Sequence, residues 1–212
     1  MTHRRTVIPL PDYERIFRVI YSVIDEHANT SHACVFFAAV GAAILELKYK
    51  IAAMPVAGAA AFAVHQATGT VSTFGQLLDG ELESSEESFH CWVESEGVVL
   101  DFMAPLFRES LKTYGHDLPI SRRMFQKPYR EMASSIHDLR GEGAFYLKRN
   151  SELSQRLFKS FSERLMATDL ANICLTWYTK PPKPLSKKMG MQDNEGNVYY
   201  LQPKGPALSG VW

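Results

Sequence analysis

The sequence predicts an α+β fold in which a central buried helix packs on an antiparallel β-sheet. Three observations carry this reading. Cys34 to Leu47 is apolar almost all round and rich in alanine, the composition of a helix enclosed by other elements. Phe89 to Phe102 holds two β-rich runs about Ser95-Glu96-Gly97, the pattern of a hairpin. Pro11 to His27 and Ser151 to Tyr178 each carry apolar side chains at helical spacing, which supplies further helices to cover the core.

Taken in order, Tyr13, Ile16, Phe17, Ile20, Tyr21, Val23 and Ile24 define an amphipathic first helix, with Asp12 and Glu14 in its first turn where they suit the dipole. Asn29-Thr30-Ser31-His32 interrupts it with residues able to cap the central helix that follows. Gly41 in that helix costs about 1 kcal/mol relative to alanine, so another backbone is expected to pack closely there. Tyr49–Ala57 and Ala59–His65 flank Gly58 and read as two strands joined by a turn. Gly69 to Ser88, with Asp79, Glu81, Glu83, Glu86 and Glu87, reads as a solvated polar connector. Ala104 to Gly143 is expected to hold short helical pieces broken by Gly115, Pro119 and Pro128, with a basic stretch at Arg122, Arg123, Lys127 and Arg130. After the helical segment from Ser151, Lys180–Pro184 is an extended linker and Met189–Leu201 a closing hairpin.

Composition bounds the function. A chain of 212 residues fits one domain, over 1–212, with enough apolar residues for a substantial core. Zero formal net charge gives no overall field toward nucleic acid or an anionic membrane, and neither partner is expected. The apolar stretch Ile51–Val64 contains Pro55 and Gly58 and falls short of a membrane span. The N-terminal residues lack a secretory pattern, and three cysteines at wide spacing fit reduced thiols, so the expected location is the cytoplasm.

Cys34 opens the central helix, where a helix N-terminus and a neighbouring imidazolium favour the thiolate, the reactive form of cysteine. His90 lies on one strand of the hairpin and Asp101 on the next, the chain order of a nucleophile, its base and the base's orienter. A Ser95-Glu96 loop pairs Glu94 with Gly97 and sets His90 directly opposite Asp101, with Cβ atoms about 5 Å apart. Strand alternation places His90 and Trp92 on one face and Cys91 on the other, which disfavours Cys91 as the nucleophile. The backbone N–H of Cys34 is the natural first donor to an acyl oxyanion, and Asn29 is the side-chain candidate for a second. Trp92 is a candidate for the substrate cleft, although a core position suits it as well. His32 and His65 read as ordinary polar residues, and Cys174 as a buried, inert thiol. A metal site of His32, Cys34, His90 and Cys91 lacks the usual ligand spacings; no metal and no cofactor is expected.

The order Cys34, His90, Asp101, with His90-Cys91-Trp92-Val93-Glu94 and Val98-Val99-Leu100-Asp101-Phe102 as consecutive strands, resembles the papain-like cysteine proteinase superfamily. Its His-x-Trp and Val-x-Asp patterns are most similar to the transglutaminase-like and arylamine N-acetyltransferase branches. The chain also resembles a small bacterial family of uncharacterised papain-fold proteins. This resemblance implies a papain-like α+β fold, a Cys-His-Asp triad and thioester chemistry on a peptide, amide or small acyl substrate, as a hydrolase or an acyltransferase. The alternative is a catalytically inactive binding protein on the same scaffold, which would leave Cys34 unreactive.

Overall fold

The computed structural model describes residues 6–25, 29–30, 33–65 and 67–212. Its architecture is mixed α+β: a curled antiparallel sheet with helices against it. Helix α1 spans Leu10–Ile24 and α2 spans Cys34–Ile44. Strands β1 (Met54–His65), β2 (Thr70–Phe74), β3 (Gln76–Leu78) and β4 (Glu81–Glu83) follow, then β5 (His90–Ser95) and β6 (Val98–Asp101). Helix α3 (Phe107–Thr113), β7 (Phe125–Pro128), β8 (Phe145–Arg149), α4 (Ser151–Glu163), α5 (Leu165–Trp177), β9 (Met189–Gln192) and β10 (Val198–Leu201) complete the chain.

The main sheet is built on β1, which runs antiparallel to β5 through Met54–Gly58, to β2 through Ala60–His65 and to β8 through Gly58–Phe62. Strand β5 continues to β6 and β6 to β7. Gly58 is therefore no turn between two strands; it lies inside one long strand. A Cβ there would overlap the Lys148 carbonyl oxygen of β8, so only glycine lets the partner backbone approach. The alanines around it, although alanine is depleted in strands, serve the same close packing: Ala57, Ala59, Ala60 and Ala61 are fully buried.

Both faces of the sheet are covered. On one side Ala57, Cys91, Val93, Val98 and Leu100 pack with α1, α2 and α5; on the other Val56, Phe62, Trp92, Val99, Phe125 and Phe145 pack with Phe107 of α3 and Ile120. Helix α2 lies against β5, which explains its apolar circumference. What packs on Gly41 is the ring of Phe102 and not a backbone: a Cβ would overlap it. The helix continues past Ile44 as a π turn over Leu45–Tyr49 and ends at Lys50 in the left-handed conformation.

Other segments depart from the sequence reading. The polar connector contains β2 and the small β3–β4 hairpin, whose acidic residues pair with cations: Glu83 lies 2.6 Å from Lys148. The segment 104–143 contributes α3 and a sheet strand, β7, as well as short 3-10 turns. The helical stretch after Asn150 breaks at Arg164 into α4 and α5; the Asn150 side chain caps α4 by accepting the Leu153 N–H at 3.0 Å. The closing hairpin forms as β9 and β10. Among the described residues, no helix is long and apolar enough to cross a membrane.

Candidate active site

The hairpin carrying His90 and Asp101 turns at Glu96-Gly97, one residue later than the Ser95-Glu96 expectation. Both turn residues have positive φ, 49° and 78°, the two-residue geometry that matches strand twist, and glycine makes the second position inexpensive. Ser95 thus pairs with Val98 and Val93 with Leu100. Continuing that register sets Asp101 opposite Trp92, so His90 and Asp101 are diagonal neighbours instead of direct partners. The shift is two residues, which keeps both side chains on one face. The His90 Nε2 and Asp101 Oδ2 still meet at 2.6 Å, with both residues buried.

Asp101 is held at both ends. Its Oδ1 accepts the backbone N–H of Met103 at 2.9 Å, and its carbonyl oxygen accepts from the Tyr13 hydroxyl, whose ring stacks on Phe102 with centroids 4.9 Å apart. The His90 ring is fixed by aromatics: Phe74 of β2 stacks on it at 4.3 Å and 28°, and Phe62 meets it edge-on at 5.7 Å. With Nε2 engaged by Asp101, Nδ1 is buried without a conventional hydrogen-bond partner and is the nitrogen left to face Cys34. The serine triad uses the two nitrogens the other way round.

Cys34 is the first residue of α2, preceded by Ala33, which provides no side-chain cap. Thr30 lies just upstream, and the expected caps Ser31 and His32 lie outside the described residues. The helix N-terminus thus presents its positive end to the thiol. The Cys34 thiol is lowered to about 5 chiefly by a hydrogen-bonding interaction with Cys91; burial opposes this, and His90 adds both a hydrogen-bonding and a charge attraction. For His90, burial disfavours the imidazolium, but the Asp101 carboxylate and then Cys34 outweigh it and raise the group to about 10. The pair is therefore a thiolate and an imidazolium near neutral pH. Cys91 stays protonated: burial pushes its thiol up, and the neighbouring Cys34 pushes it further.

A cavity of about 780 Å³ opens onto this group. Strand β2, through Val71 and Phe74, forms one wall, α3 and the loop after it, through Leu111 and Tyr114, form the other, and Cys34 and His90 border it. The segment read as short helical pieces therefore supplies a cleft wall. Trp92 does not line this cleft. It shares the face of β5 that carries His90 but lies two residues farther along the strand, fully buried in the second-face core, and its indole N–H donates to Glu94 at 2.9 Å. Asn29 is exposed and is not among the described residues lining the cavity; the Cys34 N–H is the donor that the helix start supplies. His65 bonds Thr68 at 2.9 Å, and Cys174 is buried in the helical core. Among the described residues, no group of three or more His, Cys, Asp or Glu side chains could hold a metal ion.

Two contributors escaped the sequence reading, and Cys91, disfavoured there as the nucleophile, enters as a partner of Cys34. Tyr13 acts through a contact across the fold that no local pattern signals. Phe74 sits in Thr70-Val71-Ser72-Thr73-Phe74, whose β-rich composition was a usable signal masked by the acidic residues after it.

Comparison with known proteins places the whole chain. No curated protein matches it. A solved structure described as the crystal structure of genomics APC5867 is 33% identical, with a TM-score of 0.85, and the match covers 100% of each chain. A family model described as protein of unknown function (DUF2026) matches residues 9–212. The chain belongs to the DUF2026 family.

Proposed function

We propose that this protein is a cysteine-dependent acyl-group enzyme with a papain-like fold, in which Cys34 is the nucleophile, His90 the acid and base, and Asp101 the orienting carboxylate. The observation that carries the reading is the helix start that sets Cys34 beside a buried His90–Asp101 pair at the edge of a 780 Å³ cavity. A helix bearing the thiol, packed on an antiparallel sheet bearing the histidine and then the aspartate, supports the papain-like assignment.

The chemistry follows from the protonation states. The Cys34 thiolate adds to an acyl carbonyl carbon, and the oxyanion forms near the Cys34 N–H at the helix start. The bond to the leaving group breaks as His90 Nδ1–H protonates the departing nitrogen or oxygen, which leaves a thioester on Cys34 and a neutral imidazole. An incoming water or amine gives its proton to Nδ1, attacks the thioester and restores the thiolate and imidazolium. Asp101 stabilises the imidazolium through Nε2 throughout. Water as acceptor makes a hydrolase; an amine makes an acyltransferase. The cavity is wide enough for a peptide, an amide or a small acyl donor.

The test is a panel of activated esters and peptide amides, with acyl adducts sought by mass spectrometry. The expected result is an adduct on Cys34 that disappears in Cys34→Ala and stops accumulating in His90→Ala. The absence of any adduct, together with a Cys34 no more reactive than Cys174, would return the fold to a binding role.

A further inference from the structure

The mechanism above makes no covalent use of Cys91, although this thiol is the neighbour that most strongly influences Cys34. Cys91 belongs to the helix-facing side of β5 and shares the same buried cluster as Cys34, while its neighbours His90 and Trp92 face the other way. Helix α2 packs on β5, and the Cys91 side chain interacts directly with the Cys34 thiol, so the two sulfurs face each other between the first turn of α2 and the first residues of β5. They differ in access: Cys34 borders the cavity, whereas Cys91 is 1% exposed and is not among the cavity-lining residues. Cys34, itself 6% exposed, is reached by a small oxidant only through the cavity, and Cys91 lies enclosed behind it, the arrangement of an attacking and a resolving cysteine.

We propose that Cys34 and Cys91 form a peroxide-reactive dithiol that closes reversibly to a disulfide. The Cys34 thiolate attacks one oxygen of a hydroperoxide, the O–O bond breaks, and the leaving oxygen takes the His90 proton and departs as water or alcohol. Cys34 is then a sulfenic acid. The Cys91 sulfur attacks the Cys34 sulfur, the S–S bond forms, the S–O bond breaks, and the hydroxyl leaves as water with the Cys91 proton. Two thiols have lost two electrons, and one peroxide has been reduced. A thiol reductant reverses the step. The disulfide removes the Cys34 nucleophile while protecting it from irreversible oxidation to the sulfinic acid. The inference does not rest on the acyl-transfer reading, because it needs only a thiolate at the cavity wall with a second thiol beside it.

The experiment treats the purified full-length protein with equimolar and tenfold hydrogen peroxide, followed by non-reducing peptide mapping. The expected product is a peptide pair joined through Cys34 and Cys91, lighter by two hydrogens and restored by dithiothreitol. In Cys91→Ser the cross-linked peptides are lost and Cys34 gains two oxygens instead. Cys174→Ser, which leaves the pair intact, still yields the cross-link. Sulfinic acid at Cys34 in the parent protein without any Cys34–Cys91 peptide would overturn the proposal, as would a parent protein whose Cys34 resists peroxide. Should Cys91→Ser fail to fold, the parent mapping alone decides. Acyl adduct formation, measured on untreated protein, tests the other reading separately.

Discussion

The His90 Nε2 lies 2.6 Å from the Asp101 Oδ2, across a diagonal of the β5–β6 hairpin and out of contact with bulk water. This contact decides which nitrogen of His90 faces Cys34. A buried carboxylate fixes the ring in one orientation and favours its charged form.

The pH profile of Cys34 follows from that pair. Alkylation by iodoacetamide, read residue by residue by mass spectrometry, is expected to rise through a midpoint near 5 and to hold through neutral pH. In His90→Ala the midpoint moves toward the free-thiol value of about 8.5. Cys174, which burial pushes up, remains unreactive across the same range. Equal profiles for Cys34 and Cys174 would sink the thiolate assignment.

Asp101→Asn keeps the shape of the side chain but removes the charge that supports the imidazolium. Turnover on any acyl substrate found is expected to fall on the order of 10⁴-fold, as it does when the corresponding serine-triad carboxylate is changed. The stability effect has a definite sign. His90 is raised in the folded state to about 10, above an unfolded value of about 6.5. Its contribution is therefore complete below the unfolded value and is lost as pH rises through about 10. Urea unfolding should show the parent protein ahead of Asp101→Asn by a margin that is larger at pH 6 than at pH 10.

Two glycines separate yielding from unyielding neighbours. Gly41→Ala would press on the ring of Phe102, while Gly58→Ala would press on the Lys148 backbone carbonyl. Overpacking of the first kind costs about 1–3 kcal/mol. Phe102→Leu in the same chain is expected to recover part of that loss. No side-chain substitution at 148 should rescue Gly58→Ala, because the obstacle is main chain. Thermal unfolding of the two single variants and the double variant checks the order.

Tyr13→Phe keeps the stack on Phe102 and deletes only the hydroxyl that bonds the Asp101 carbonyl oxygen. A buried carbonyl left without its donor costs about 1–3 kcal/mol. The midpoint of Cys34 alkylation should move much less than in Asp101→Asn, since the His90–Asp101 side-chain contact survives. A shift as large as that of Asp101→Asn would show that Tyr13 positions the carboxylate itself.

The sequence alone determined the features that rest on local periodicity and chain order: the amphipathic α1, the all-apolar α2 beginning at Cys34, the hairpin from His90 to Asp101 and the closing hairpin of β9 and β10. These survive because a helical or strand pattern is written into consecutive residues. Tertiary structure decided the rest. The strand at Gly58 exists because β8 approaches there, against the alanine and glycine preferences of the segment. The hairpin register moved by two residues because Glu96 and Gly97 take the positive-φ turn, and whether His90 meets Asp101 directly or diagonally depends on that backbone choice. Phe74 and Tyr13 join the site from a strand and a helix distant in sequence, and Cys91 meets Cys34 only because α2 packs on β5. Such contacts depend on which faces of separate elements meet, and no spacing within one element records that.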